Sequence, residues 1–183
     1  MNRKYALLLI LLLLFPMVRV TAQNVSLSVN VADCANMGTL NLSASYAVAR
    51  HWSVVADVKY NPFSWKNGEM LAKQRLVAAG TKFWPWHIYS GWWMSGKGQW
   101  QEYNSGGIVS AKTSEGDRFG ASLSAGYALM LGKHFNLDFG AGLWGGVDRY
   151  VSYSCPRCGA VTGSGTKFFL LPNDIMLALT YIF

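Results

Sequence analysis

Apolar and small polar residues alternate along this chain with a period of two, in eight separate runs. In residues 25–31, Val25, Leu27, Val29 and Val31 alternate with Ser26, Ser28 and Asn30. Residues 40–48 set Leu40, Leu42, Ala44, Tyr46 and Val48 against Asn41, Ser43, Ser45 and Ala47, and residues 53–60 set Val54, Ala56, Val58 and Tyr60 against Ser53, Val55, Asp57 and Lys59. The sixth run is the most regular: Phe119, Ala121, Leu123, Ala125, Tyr127 and Leu129 alternate with Gly120, Ser122, Ser124, Gly126 and Ala128. The seventh opens with Phe135, Leu137, Phe139 and Ala141 against Asn136, Asp138, Gly140 and Gly142, and the last carries Ile175, Leu177, Leu179, Tyr181 and Phe183. Side chains two apart share one face of a pleated strand, so each run predicts a strand with a bulky face and a small one. The fourth run (72–83) and the fifth (87–103) are less regular. In the fourth, alternation does not assign a face to Arg75 or Lys82; in the fifth, Ile88, Trp92 and Met94 oppose Tyr89, Gly91 and Trp93.

The connections add topology. Residues 49–51, 84–86 and 132–134 read as tight turns, residues 61–71, 104–117 and 152–172 as longer loops, and the first connection, 32–37, as a short one. Long and short connections in alternation describe an all-β fold, an eight-stranded antiparallel transmembrane β-barrel in up-and-down meander order, with the tight turns and both termini on the periplasmic side. The faces favour the same reading. A water-soluble barrel turns its bulky face inward and carries charge outside, whereas here the non-bulky face is Ser, Gly, Ala and Asn with scattered charges. Eight strands leave only enough interior room for packed side chains, so the small face is expected inside and the bulky face against lipid. Trp52, Phe83, Trp84, Trp86, Phe135 and Phe183 are then expected at the periplasmic rim. Tyr60, Phe63, Trp65, Trp100, Tyr103, Phe119, Tyr150 and Tyr153 are expected at or above the outer rim, where amphipathic rings favour the headgroup level.

Upstream of the strands, Asn2-Arg3-Lys4 precedes an unbroken apolar run of ten residues, 6–15, then Pro16 and the small-residue exit Val20-Thr21-Ala22. That pattern is a secretory signal peptide over 1–22, leaving 23–183 as one outer-membrane domain. The run is too short to span a bilayer, and Arg19 bars its early extension. The chain carries 16 basic and 9 acidic residues; without Arg3, Lys4 and Arg19 the balance is 13 to 9, with no basic run suited to nucleic acid. Charged residues make up 14%, against about 25% in typical soluble domains, while aromatics make up another 14%, a balance suited to a wall that faces lipid.

Several segments resemble a family of small envelope proteins from Bacteroidetes-type bacteria, the domain-of-unknown-function family numbered 3575. The matching segments are the paired N-terminal strands, Arg50-His51-Trp52-Ser53-Val54, Tyr60-Asn61-Pro62-Phe63, and residues 119–131 leading into Asn136-Leu137-Asp138-Phe139. The resemblance implies an outer-membrane location and an eight-stranded barrel, with no established activity. The cysteine pair in the last loop and the terminal phenylalanine depart from the family pattern. Phe183 with Tyr181 resembles the C-terminal signal read by the barrel-assembly machinery, an expected partner during biogenesis.

Candidate chemistry is sparse. Cys34, Cys155 and Cys158 all fall in predicted outward loops. Cys155-Pro156-Arg157-Cys158 has the spacing of half a zinc knuckle, but a structural zinc needs four ligands and no outer-loop histidine completes the set. A thioredoxin-like redox motif matches too, yet requires a helix N-terminus. The expected outcome is one structural disulfide and one spare thiol. Cys155–Cys158 is favoured by proximity, and a bridge from Cys34 to either one is the alternative, stapling the seam where the first and last strands meet. His51, His87 and His134 each fall at a periplasmic turn, the wrong end for a base acting on outer-leaflet lipid. Catalytic residues, cofactors and metals are therefore expected to be none. Asp57, Lys59 and Asp138 point into the lumen, where an unpaired charge is costly, so neighbouring strands should pair them into a plug. Arg149, Arg157 and Lys167 are assigned to the last loop with no acid before Asp174, as candidate contacts to glycolipid phosphates. Asn24-Val25-Ser26 and Asn41-Leu42-Ser43 match a glycosylation pattern but fall on strands.

The expectation is a non-catalytic envelope or surface component acting through its outward loops, in contact with outer-membrane lipid and glycolipid. The alternatives are an accessory to surface attachment or fimbria assembly with a surface or fimbrial protein partner, a lipid-modifying barrel enzyme, and a soluble barrel binding an apolar ligand.

Overall fold

The period-two runs become strands whose ends are set by turn chemistry. A computed structural model describes residues 24–66, 69–107, 112–155 and 159–183. In chain order the elements are β1 (Val25–Asn30), a short helix α1 (Val31–Ala35), β2 (Leu40–Ala49), β3 (Trp52–Asn61), β4 (Ser64–Trp65), β5 (Met70–Phe83), β6 (Gly91–Gly106), β7 (Thr113–Met130), β8 (Phe135–Tyr153) and β9 (Val161–Ile182). All pairings are antiparallel. β3 pairs directly with β5, β1 pairs with β9, and β4 is a two-residue ladder on β5, so the eight longer strands close into a ring.

The ring is apolar outside and polar inside. Leu123 is 74% exposed and Leu170 69%, whereas Ser124 is 7% exposed and Asp138 3%. Arg75 belongs to the outer face and Lys82 to the inner one, settling the two positions that alternation left open. In β6, Trp92 and Met94 face out and Trp93 is buried, as their alternation predicts; Ile88 differs, lying partly buried against the interior cluster.

The interior is not lined by small residues alone. Trp84, Tyr89, Trp93, Ala128 and Ile182 form a cluster at the end that holds both strand termini, with Ala47, Ile88 and Met176 packed on it. Trp84, assigned by sequence to the rim, instead turns inward and donates to Ser53 Oγ at 3.1 Å. Room for the Trp93 ring comes from glycines on the two strands beside it, Gly126 on β7 and Gly140 on β8. A Cβ on Gly126 or Gly140 would sit 2.4 or 2.7 Å from Trp93 Cζ2, inside van der Waals contact.

Several boundaries also differ. β7, β8 and β9 are 18, 19 and 22 residues long, so much of the expected loops 104–117 and 152–172 is strand. β1 stops at Asn30 because the Asn30 side chain accepts from Ala32 N and caps α1, which takes Val31 out of the sheet. β6 starts at Gly91 rather than His87: Tyr89 (φ 60°) and Gly91 (φ 75°) both adopt left-handed backbone, which turns the chain and ends any strand there.

Candidate functional site

The interior divides into a sealed half and an open half. On the sealed side, Lys82 lies over the Trp93 ring at 4.3 Å and the Trp84 ring at 5.8 Å, within electrostatic reach of Asp138. Asp138 Oδ2 accepts from Thr180 Oγ1 at 2.7 Å. Higher in the ring, Lys97 Nζ meets Asp57 Oδ2 at 2.8 Å, and Ser43 Oγ donates to the other Asp57 oxygen. Lys59 Nζ reaches Asp33 Oδ2 of α1 at 2.8 Å. The lumen charges Asp57, Lys59 and Asp138 are thus not paired with one another; each finds its counter-charge on a different element. Lys97 was legible in principle, because an inward Trp93 fixes Ser95, Lys97, Gln99 and Gln101 on the same face.

The open half is a cavity of about 380 Å³ between α1, β3, β5, β6, β7, β8 and β9. Asp33 and Lys59 form one wall, Gln74, Gln101 and Arg118 another, and Trp144 with Asn173 a third. Gln101 Nε2 donates to Gln74 Oε1 at 2.6 Å, and Arg118 Nη1 approaches Gln101 Oε1 at 3.4 Å. The Arg118 guanidinium lies 3.8 Å from the centre of the Tyr103 ring, with its Nε 3.4 Å from Asp148 Oδ2. Fully buried Asp148 also accepts from Tyr103 Oη at 3.0 and 3.1 Å. A charge-compensated network therefore stiffens this wall.

The seam beside the cavity ends on two asparagines. Asn41 Oδ1 accepts from Asn30 N at 2.6 Å and its Nδ2 donates to Asn30 O at 2.9 Å, replacing one rung of the ladder with a side chain. Asn30 repeats the device towards β9: its Oδ1 accepts from Leu177 N at 3.0 Å and its Nδ2 donates to Ile175 O at 3.1 Å. β9 runs on to Val161 paired with β8, whereas its ladder with β1 ends at Asn30–Ala178. Pro172, which lacks a backbone donor, sits in that one-sided stretch, where a strand tolerates it.

The outer face carries a second feature. Directly above the apolar wall, Arg75, Glu102, Asp117 and Arg149 stand side by side in register on β5 to β8. Arg75 pairs with Glu102 at 3.6 Å, and Trp100 Nε1 donates to Asp117 Oδ1 at 3.2 Å. Arg149 and Lys167 are therefore strand residues, not loop residues. Arg149 joins this charged girdle, and Lys167 has an acid after all, lying 3.7 Å from Asp148 of the adjacent strand. Arg157 lies outside the described residues. Above the girdle, Tyr153 Oη donates to Glu115 Oε1 at 2.6 Å, and that carboxylate pushes the phenol's pKa up.

Cys34 is a free, exposed thiol, which removes the expected alternative of a seam-stapling bridge; Cys158 lies outside the described residues. His51 Nδ1 contacts Trp84 O at 2.8 Å and His134 Nδ1 contacts Ile182 O at 2.9 Å, both at the turn end beside the termini. His87 occupies the β5–β6 turn. Among the described residues no three His, Cys, Asp or Glu side chains gather as metal ligands, and no helix is long and apolar enough to cross a membrane.

The sequence profile of the family described as "Protein of unknown function (DUF3575)" matches residues 7–183, and the chain belongs to that family. No curated protein and no solved structure matches it.

Proposed function

For this member of a family of unknown function, we propose a bacterial outer-membrane β-barrel that spans the bilayer with eight strands and acts, without catalysis, as an envelope component through its outward end. The carrying observation is the inverted distribution of polarity. On β7 the outward residues Phe119, Ala121, Leu123, Ala125, Tyr127 and Leu129 include no charge. Ten strand steps tilted by about 40° cover roughly 25 Å, the height of a lipid-facing band. The Arg75–Glu102–Asp117–Arg149 girdle begins at the next outward position, with Trp100 turning its N–H towards it. This suits a wall that meets acyl chains and then headgroups, including those of glycolipid. The aromatic stopper favours a closed lumen over a pore. Placing the three histidines at the turn end, two of them against backbone carbonyls, favours a non-catalytic role over lipid modification.

In this reading residues 1–22 direct export and are removed, and the barrel-assembly machinery inserts the rest. With Cys34 free, Cys155 and Cys158 are assigned to each other as the one disulfide. Partners, including a surface or fimbrial protein, would meet the loop end. The test is fractionation of cells expressing the full chain, followed by electrophoresis with and without boiling. Recovery with outer membranes, extraction only by detergent and faster migration of the unboiled form are expected. Recovery in the supernatant of a detergent-free, high-speed-cleared lysate refutes the proposal.

A further inference from the structure

We propose that the open cavity is a binding site for a neutral, hydroxyl-rich ligand of the saccharide class. Three observations carry this. First, the ions around the cavity are already compensated: Lys59 by Asp33 at 2.8 Å, and Arg118 by Asp148 at 3.4 Å. An incoming ion of either sign would have to displace one of these partners. Second, the remaining polar lining is rich in amides, from Asn36, Gln74, Gln101 and Asn173, each with a donor and an acceptor on one group. That pairing complements adjacent hydroxyls, which both give and accept. Leu76, Leu171, Pro172 and Ile175 add an apolar side that suits the C–H face of a sugar ring.

Third, Trp144 lines the cavity, is 3% exposed, and its indole N–H has no acceptor among the described residues. A buried donor without a partner is costly and is satisfied by whatever acceptor occupies the space beside it. The cavity volume of about 380 Å³ falls in the range of small-molecule sites. Access follows from the seam. α1 and the stretch of β9 beyond Ala178, which β1 meets only through the Asn30 side chain, border the cavity on the side where the backbone ladder has ended. The sugar could therefore arrive as a free saccharide from the outer face or as the headgroup of a glycolipid. Only the second source rests on the membrane reading.

The experiment uses the full chain, folded in nanodiscs and labelled with ¹⁵N at the tryptophan indoles, with W144F assigning the Trp144 resonance. One arm adds free glucose, galactose, mannose and lactose; the other compares phosphatidylcholine discs with and without glycolipid. A saturable shift of the Trp144 N–H in either arm is expected, with Asn173→Ala weakening the affinity at least fivefold. A shift in the glycolipid arm alone identifies the lipid as the source. Should W144F not fold, calorimetry with the same sugars on wild type, Asn173→Ala and Gln101→Ala carries the test with the same expected weakening. No response to any saccharide or glycolipid, or a response to inorganic phosphate alone, overturns the proposal. Because the free-sugar arm can also be run in detergent, its failure is separable from a failure of the membrane assignment.

Discussion

Replacing Lys97 by Met tests whether the buried ion pair holds the ring together. Its side chain is 3% exposed and that of Asp57 12%, with the ammonium 2.8 Å from the carboxylate. At an effective dielectric of 20, a pair at that distance attracts by about 6 kcal/mol, offset by the desolvation of both ions. The net worth of the intact pair is therefore small, but removing one member strands the other. K97M leaves Asp57 the Ser43 hydroxyl but takes away its ammonium, at an expected cost of about 3–5 kcal/mol. For a urea slope of about 2 kcal/mol per M, that lowers the unfolding midpoint by about 1.5–2.5 M. The assay is urea unfolding from lipid vesicles, followed by tryptophan fluorescence and by the boiled-against-unboiled gel shift. Adding D57N to K97M removes the stranded charge and should recover most of the loss. A K97M midpoint within about 0.3 M of wild type, or a double variant no better than K97M, refutes the reasoning.

Two further outcomes follow from the seam and the outer rim. Asn30→Ala deletes the amide that caps α1 and extends the β1–β9 ladder; about 2–3 kcal/mol of stability should be lost, with faster hydrogen exchange at the Leu177 amide. Unchanged protection at Leu177 would contradict the assigned role. Tyr153 should ionise above the ordinary tyrosine range because Glu115 accepts its proton's hydrogen bond and repels the phenolate. Any stability from that contact is complete below the ordinary tyrosine pKa and is lost as pH rises through the elevated folded value. Glu115→Gln should bring the Tyr153 titration down, as read by NMR of ring-labelled tyrosine; an unmoved titration rules the carboxylate out as the cause.

The sequence by itself determined the strands of the lower wall, the closing order and which face of each strand points into the ring. Where one face is bulky and apolar and the other small and polar, a one-residue slip would exchange every side chain between faces, so alternation at 119–129 or 135–141 specifies both strand and orientation. The upper halves of β7 to β9 were not legible for the converse reason. Around Ser114, Glu115, Gly116 and Asp117 both faces are polar, so alternation has no amplitude. These residues are strands because their neighbours continue the ladder. Tertiary structure alone decided the charge partners. Asp57 and Lys97 lie 40 residues apart on strands that are not adjacent, and only the stagger and curvature of the ring bring them to one level. The inward turn of Trp84 was likewise hidden, because it packs in one cluster with Trp93, whose ring lies over Gly126 and Gly140 of the two neighbouring strands. Local pattern fixes which way a side chain points; what it then touches depends on how the sheet closes.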